Sequence, residues 1–161
     1  MGLDMYLYAD RYIVSFGNED DPDTKLSQVL KEFCPEMSNM EPHAVRFQIA
    51  YWRKANAIHK WFVDNVQDGV DDCGYYHVTE EQLAELYELV SELLKTKDED
   101  KAHELLPPTS GFFFGSDMVD DDYWSDLEDT LDQLTKIRKN LMMNALKGKN
   151  FYMDFHYHSS W

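Results

Sequence analysis

Between His43 and Val63 the chain carries Arg46, Arg53, Lys54, His59 and Lys60 without a single acid, although the whole sequence holds 31 Asp plus Glu against 15 Lys plus Arg. Such a window attracts anions in a molecule whose net charge of −16 repels them elsewhere. Trp52 and Trp61 lie inside it, and Tyr75, Tyr76 and Phe112 to Phe114 follow; their flat faces can stack on a nucleobase. A helix opening at Arg53 would add the positive field of its unpaired N–H groups. Trp52, Arg53, Lys54, Asn56, His59 and Tyr76 are therefore a candidate site for a nucleotide-sized anion, with Trp52 and Tyr76 as its walls. The plainer alternative is that Arg53 and Lys54 pair with surface acids while the aromatic residues fill the core.

Other groupings carry weaker chemistry. Asp154, His156 and His158 alternate as strand residues sharing one face do, and two histidines with a carboxylate can supply three metal ligands. No fourth ligand is evident, so an exposed polar strand face is the expected reading, with no metal and no cofactor. Cys73 and His59 could act as nucleophile and base only if folding brings them together, and a buried, inert cysteine is the usual outcome. Ser110 to Ser116 sets two glycines around three phenylalanines, which suits either a loop closing over a ligand or a turn driving rings into the core. From Asp117 to Asp132 run eight acids and no base, a solvated helix start or an imitation of phosphate spacing that occupies a nucleic-acid site. No glycine-rich phosphate loop followed by Lys and Ser or Thr is present.

The elements that must hold these residues follow from hydrophobic period. Leu3, Met5 and Leu7 alternate as one face of a strand, and residues 12–16 read as a second strand pairing with it. Residues 17–44 form a variable loop with a weak helix on Leu26, Val29, Leu30 and Phe33, stopped by Pro35. Val45 to Trp52 is strand-like, and from Arg53 the period changes to that of an amphipathic helix over 53–67. A short strand at 73–78 precedes a helix over 79–96 that opens with Thr79 and Gln82 as a capping box. A long helix over 122–146 has a seam of Trp124, Leu127, Leu131, Leu134, Ile137 and Leu141, with acids early and bases late as the helix dipole favours. Residues 150–157 alternate again, with Phe151, Met153, Phe155 and Tyr157 inward. The sum is one α+β domain over 1–161: a small, largely antiparallel sheet with about three main helices packed on it.

Composition limits the function. At 161 residues and 43% apolar content the chain fills one core. Its charge argues against non-specific nucleic-acid binding and adhesion to anionic membranes. No apolar run reaches the roughly 18 residues of a membrane span, and Met1-Gly2-Leu3-Asp4 lacks a basic signal-peptide start. Cys34 and Cys73 are expected as reduced thiols.

Four stretches carry a resemblance: Met1-Gly2-Leu3-Asp4-Met5-Tyr6-Leu7, Tyr51-Trp52-Arg53-Lys54-Ala55-Asn56-Ala57-Ile58-His59-Lys60-Trp61-Phe62, Asp72-Cys73-Gly74-Tyr75-Tyr76 and Ser110-Gly111-Phe112-Phe113-Phe114-Gly115. In these the chain resembles a family of small proteins encoded by bacteriophages and prophages. The resemblance implies a viral accessory protein acting in the cytoplasm of an infected bacterium. With the basic window it leads to a first expectation: a counter-defence protein, more a binder than an enzyme, that sequesters a small nucleotide-type signal. The second is an acidic inhibitor or nucleic-acid mimic acting on a host defence protein, and the third a nucleotide hydrolase. Self-association into a homo-oligomer is left open.

Overall fold

The computed structural model describes residues 2–15, 17–111, 116–146 and 153–161. Four strands, β1 (Asp4–Tyr12), β2 (Ala44–Arg53), β3 (Tyr75–Val78) and β4 (Met153–Ser160), form one sheet in the order β2-β1-β4-β3, every pair antiparallel. Among the described residues five α-helices accompany them: α1 (Pro22–Phe33), α2 (Asn56–Asn65), α3 (Glu80–Thr96), α4 (Glu99–Leu105) and α5 (Asp121–Leu146). The α+β expectation holds, with the first and last strands side by side at the sheet's centre.

Strand parity decides which side is covered. Leu3, Met5, Leu7, Ala50, Trp52, Val78, Phe155 and Tyr157 lie in one buried cluster with Ile58 and Phe62 of α2, Leu86, Val90 and Leu93 of α3 and Leu127 and Leu134 of α5. Phe62 and Tyr157 stack with centroids 4.0 Å apart and rings 7° from parallel. Fully burying a side chain of this size contributes about 1.5–3 kcal/mol. Residues of the opposite parity, Tyr6, Tyr8, Tyr12, Tyr51, Tyr75, His77, His156 and His158, stay outside that cluster. They make a polar aromatic face of their own. Tyr75 stacks on His158 at 4.2 Å, and the Arg46 guanidinium lies 5.2 and 5.3 Å from the centroids of the Tyr8 and Tyr75 rings.

Several boundaries differ from the sequence reading. Residues 12–15 do not form a second strand, and Phe16 lies outside the described residues: β1 runs on to Tyr12, and Ile13 then donates its N–H to His43 O at the far end of β2. The 53–67 helix starts later, at Asn56, because Arg53 pairs with Asp4 as the last residue of β2 and Lys54 N–H donates to Leu3 O at 2.8 Å. The seam of α5 is rotated toward Tyr123 and Thr130, both buried, with Trp124 and Leu131 at its margin. The cause is a core hydrogen bond, the Trp52 indole N–H donating to Thr130 Oγ1 at 2.9 Å. Helix α4 was not anticipated; Asp98 caps it by accepting from Lys101 N, and Ala102 anchors it in the core. The capping box of α3 is present, with Thr79 accepting from Gln82 N and donating its own N–H to Gln82 Oε1.

Edge strand β2 would offer unpaired backbone groups to other chains. Gln133 of α5 covers them at one point: its Oε1 accepts from Tyr51 N at 2.8 Å and its Nε2 donates to Tyr51 O at 3.0 Å. Among the described residues no helix is long and apolar enough to cross a membrane.

Candidate functional site

The chain leaves β2 at Arg53, turns through Lys54 with φ at 61°, and enters α2. A non-glycine residue in the left-handed region marks a tight, imposed bend. Ala55 stands at the N-cap and offers no side-chain acceptor, whereas α1, α3 and α4 are each capped by an Asp or Thr oxygen. Ala55 thus supplies no side-chain cap to the first turn of α2, where the helix dipole is positive.

This helix start opens onto a cavity of about 430 Å³, a size suited to a small organic ligand. Arg53, Lys54 and Asn56 line one side and Asp120, Asp122 and Asp126, at the start of α5, line the other. Asn56 ties the two sides together. Its Nδ2 donates to Ser116 O at 2.6 Å and its Oδ1 accepts from Thr109 N at 2.9 Å. Tyr123 braces the same wall by donating its hydroxyl to Leu106 O at 2.9 Å, and burial raises its pKa.

The two walls are opposite in charge. The Arg53 side chain is largely exposed, with Nε 3.9 Å from Asp4 Oδ1, a contact too long to satisfy a guanidinium. Among the described residues Lys54 has no ion-pair partner. Across the cavity, burial first, and then the charges of Asp122, Asp129 and Asp120, push the Asp126 carboxyl up to about 7. Asp120 moves the other way, because the Tyr123 N–H and then the Ser116 side chain stabilise its carboxylate. The cavity can therefore hold a molecule with an anionic end toward α2 and hydrogen-bond donors toward Asp126, which at neutral pH is present both with and without its proton.

Of the six residues singled out from sequence, Arg53, Lys54 and Asn56 come together here. Trp52 does not line this cavity: adjacent strand residues face opposite ways, and its ring is buried against Phe62. His59 points into the core, with Nδ1 2.7 Å from the Tyr157 hydroxyl and Nε2 3.0 Å from Asp71 Oδ2. In the tautomer that suits both partners, Nε2 donates to the Asp71 carboxylate oxygen and Nδ1 accepts from the Tyr157 hydroxyl. Both ring nitrogens being engaged, His59 is not placed to serve Cys73 as a base. Tyr76 lies on β3 and donates its hydroxyl to Asp72 Oδ1. Asp120, Asp122 and Asp126 were read only as part of an acidic run; Asp126, one position before buried Leu127 and four before buried Thr130, carried the signal of a half-buried acid.

Asp154, His156 and His158 share the open sheet face, but other partners take them. Tyr12 donates to Asp154, His158 stacks on Tyr75, and His156 approaches Asp10, whose carboxylate is held below the usual range by two Arg46 hydrogen bonds. Among the described residues no group of three or more His, Cys, Asp or Glu is arranged to hold a metal ion. The expectation for Phe112 to Phe114, and that for Phe151, lie outside the described residues.

The fold and cavity define a single-sheet α+β domain with a bipolar pocket at a strand-to-helix junction. No family model, curated protein or solved structure matches the chain.

Proposed function

We propose that this is a binding protein that captures a small nucleotide-type anion in the cavity between the starts of α2 and α5, and that it acts as a phage counter-defence factor. The observation that carries the binding reading is the opposition of charge across 430 Å³: Arg53, Lys54 and the positive start of α2 on one side, Asp120, Asp122 and Asp126 on the other. A nucleotide has the same polarity, with phosphate at one end and the amino or imino donors of its base at the other. Phosphate at α2 gains the helix field and charge-assisted hydrogen bonds, while a carboxylate pairs with base donors. The setting in an infected bacterium rests on the sequence resemblance to phage proteins.

The acidic run supports the alternative of a nucleic-acid mimic less well. Three of its acids face the cavity, while Glu128 is paired with Lys97 and Asp132 with Lys136. Calorimetric titration with AMP, GMP, their nucleosides and ribose 5-phosphate tests the binding reading. Nucleotides should bind more tightly than either fragment, and Arg53→Glu should weaken them well beyond tenfold, as expected for loss of a guanidinium–phosphate contact of about 1.5–3 kcal/mol. Absence of nucleotide binding, or unchanged affinity in folded Arg53→Glu protein, overturns it. Mass spectrometry of what the protein releases after incubation with an extract of infected bacteria separates capture of an intact nucleotide from its hydrolysis.

A further inference from the structure

Helix α1 spaces Leu26, Val29, Leu30 and Phe33 as a helix does that buries one face. The buried residues of α1 are instead Thr24 and Ser27. Thr24 is held inward by Asp21, which caps the helix, and by Ser15, whose Oγ lies 2.8 Å from Thr24 Oγ1. Part of the apolar seam consequently faces outward: Leu26 and Leu30 are half-buried, while Val29 is 58% and Phe33 83% exposed. The surface continues past the helix into the short 3-10 turn Pro35–Met37, where Met37 is 55% exposed, and to Met40 at 59%. Three successive backbone hydrogen bonds, Cys34 N to Leu30 O, Met37 N to Cys34 O and Met40 N to Met37 O, hold these positions in one winding path.

Charge selects what fits there. From residue 19 to residue 41 there are seven acids and two lysines, and both lysines are already paired, Lys25 with Asp20 and Lys31 with Glu41. Glu32 and Glu36, beside Phe33 and Met37, have no ion-pair partner among the described residues. We infer that α1 and the turn after it form a docking surface for a basic amphipathic helix of a partner protein, whose apolar face packs on Val29, Phe33, Met37 and Met40 and whose lysines or arginines meet Glu32 and Glu36. Methionine side chains adapt to different apolar shapes, and an acid-rimmed apolar strip is the complement of a helix that is apolar on one face and basic on the other. A second copy of this chain is the poorer occupant, because it brings the same acids and another −16 charge. The surface is on elements that do not line the cavity, so it stands independently of the nucleotide reading.

The test uses the whole protein and a synthetic peptide of leucine and lysine with leucines at i, i+3, i+4 and i+7. Its controls are a scrambled peptide of the same composition and an analogue with glutamate for lysine. Fluorescence anisotropy should register binding of the amphipathic basic peptide alone. Phe33→Ser and Val29→Ser should each weaken it about tenfold, and Glu32→Lys with Glu36→Lys should reduce both the affinity and its salt dependence. Circular dichroism melts check that each variant folds, and the two serine variants are independent of each other. Equal binding of the scrambled peptide, no binding of the amphipathic one, or unchanged affinity in both folded serine variants overturns the inference. So does a dimer of the protein alone in sedimentation that Phe33→Ser dissolves, since the surface then belongs to a second copy.

Discussion

The hydroxyl of Tyr157 and Nδ1 of His59 lie 2.7 Å apart inside the core, joining the central strand β4 to helix α2 across 98 positions of sequence. Tyr157 is fully buried, and its pKa is raised, first by burial and then by the charges of Asp71 and Cys73, so it is a phenol that donates. The pair continues outward through His59 Nε2 to Asp71, which also accepts from the Trp161 indole at 3.1 Å. Tyr157→Phe removes the donor and leaves a buried ring nitrogen unpaired, at a cost of about 1–3 kcal/mol. Urea unfolding should register that loss, and Asp71→Asn, at the partly exposed end, should lower stability by less.

A second prediction concerns pH. The folded Asp126 carboxyl titrates near 7 against about 3.9 in an unfolded chain. Between those values the native state binds more protons than the unfolded one, so this group's contribution to stability falls as pH rises from 4 to 7 and is level above that. Asp126→Asn should flatten that slope and stabilise the protein at pH 8 by about 1–2 kcal/mol, a figure reduced for partial solvent access. Asp10, held low by Arg46, acts in the opposite sense: its contribution is present above pH 4 and is lost on acidification below it. Unfolding midpoints at pH 4, 6 and 8 for wild type and Asp126→Asn check the first trend, and midpoints at pH 2, 3 and 4 for wild type and Asp10→Asn check the second. An unchanged slope in the variant would remove Asp126 as its source.

Gln133 acts as a substitute for a neighbouring strand. Gln133→Ala should cost about 0.5–1.5 kcal/mol and expose the Tyr51 amide, so hydrogen exchange at that residue should accelerate while exchange at the β1–β4 ladder keeps its rate once corrected for global stability. Scattering at high concentration should rise in the variant if the covered edge restrains self-association.

Asn56 bridges the cavity's two sides, so Asn56→Asp is expected to be more harmful than Asn56→Ala. The aspartate keeps the acceptor for Thr109 N but sets an oxygen against Ser116 O where the amide N–H donated. Thermal unfolding should rank wild type above alanine and alanine above aspartate, with the alanine loss about 1–3 kcal/mol.

How much of this was legible in the sequence depends on whether the deciding contact is local. The alternation of Leu3, Met5 and Leu7 and the Thr79–Gln82 capping box are local patterns, and both appear as read. The start of α2 was misplaced because helix period begins near Arg53, while pairing with Asp4, set by tertiary structure, keeps Arg53 in the strand. For α1 the seam was visible but not its direction, which depends on Ser15 and Asp21 drawing Thr24 inward. Half of the candidate site was readable as a gap in the acids. The opposing wall was not, since nothing near Asp126 in sequence reveals that residues 70 positions earlier stand across from it.

The strand order has a consequence for how the molecule is made. β1 and β2 can pair as soon as the chain has passed Arg53, but the other side of β1 waits for residues 153–160, and β3 has no neighbour until the same residues arrive. During synthesis a half-built sheet must therefore keep β1, with Met5 and Leu7 that the finished fold buries, open along one edge while about a hundred further residues emerge. Closing so long a loop is slow and comes late. The nascent domain is consequently most exposed to chaperones and to aggregation in the interval between the appearance of α2 and the arrival of β4.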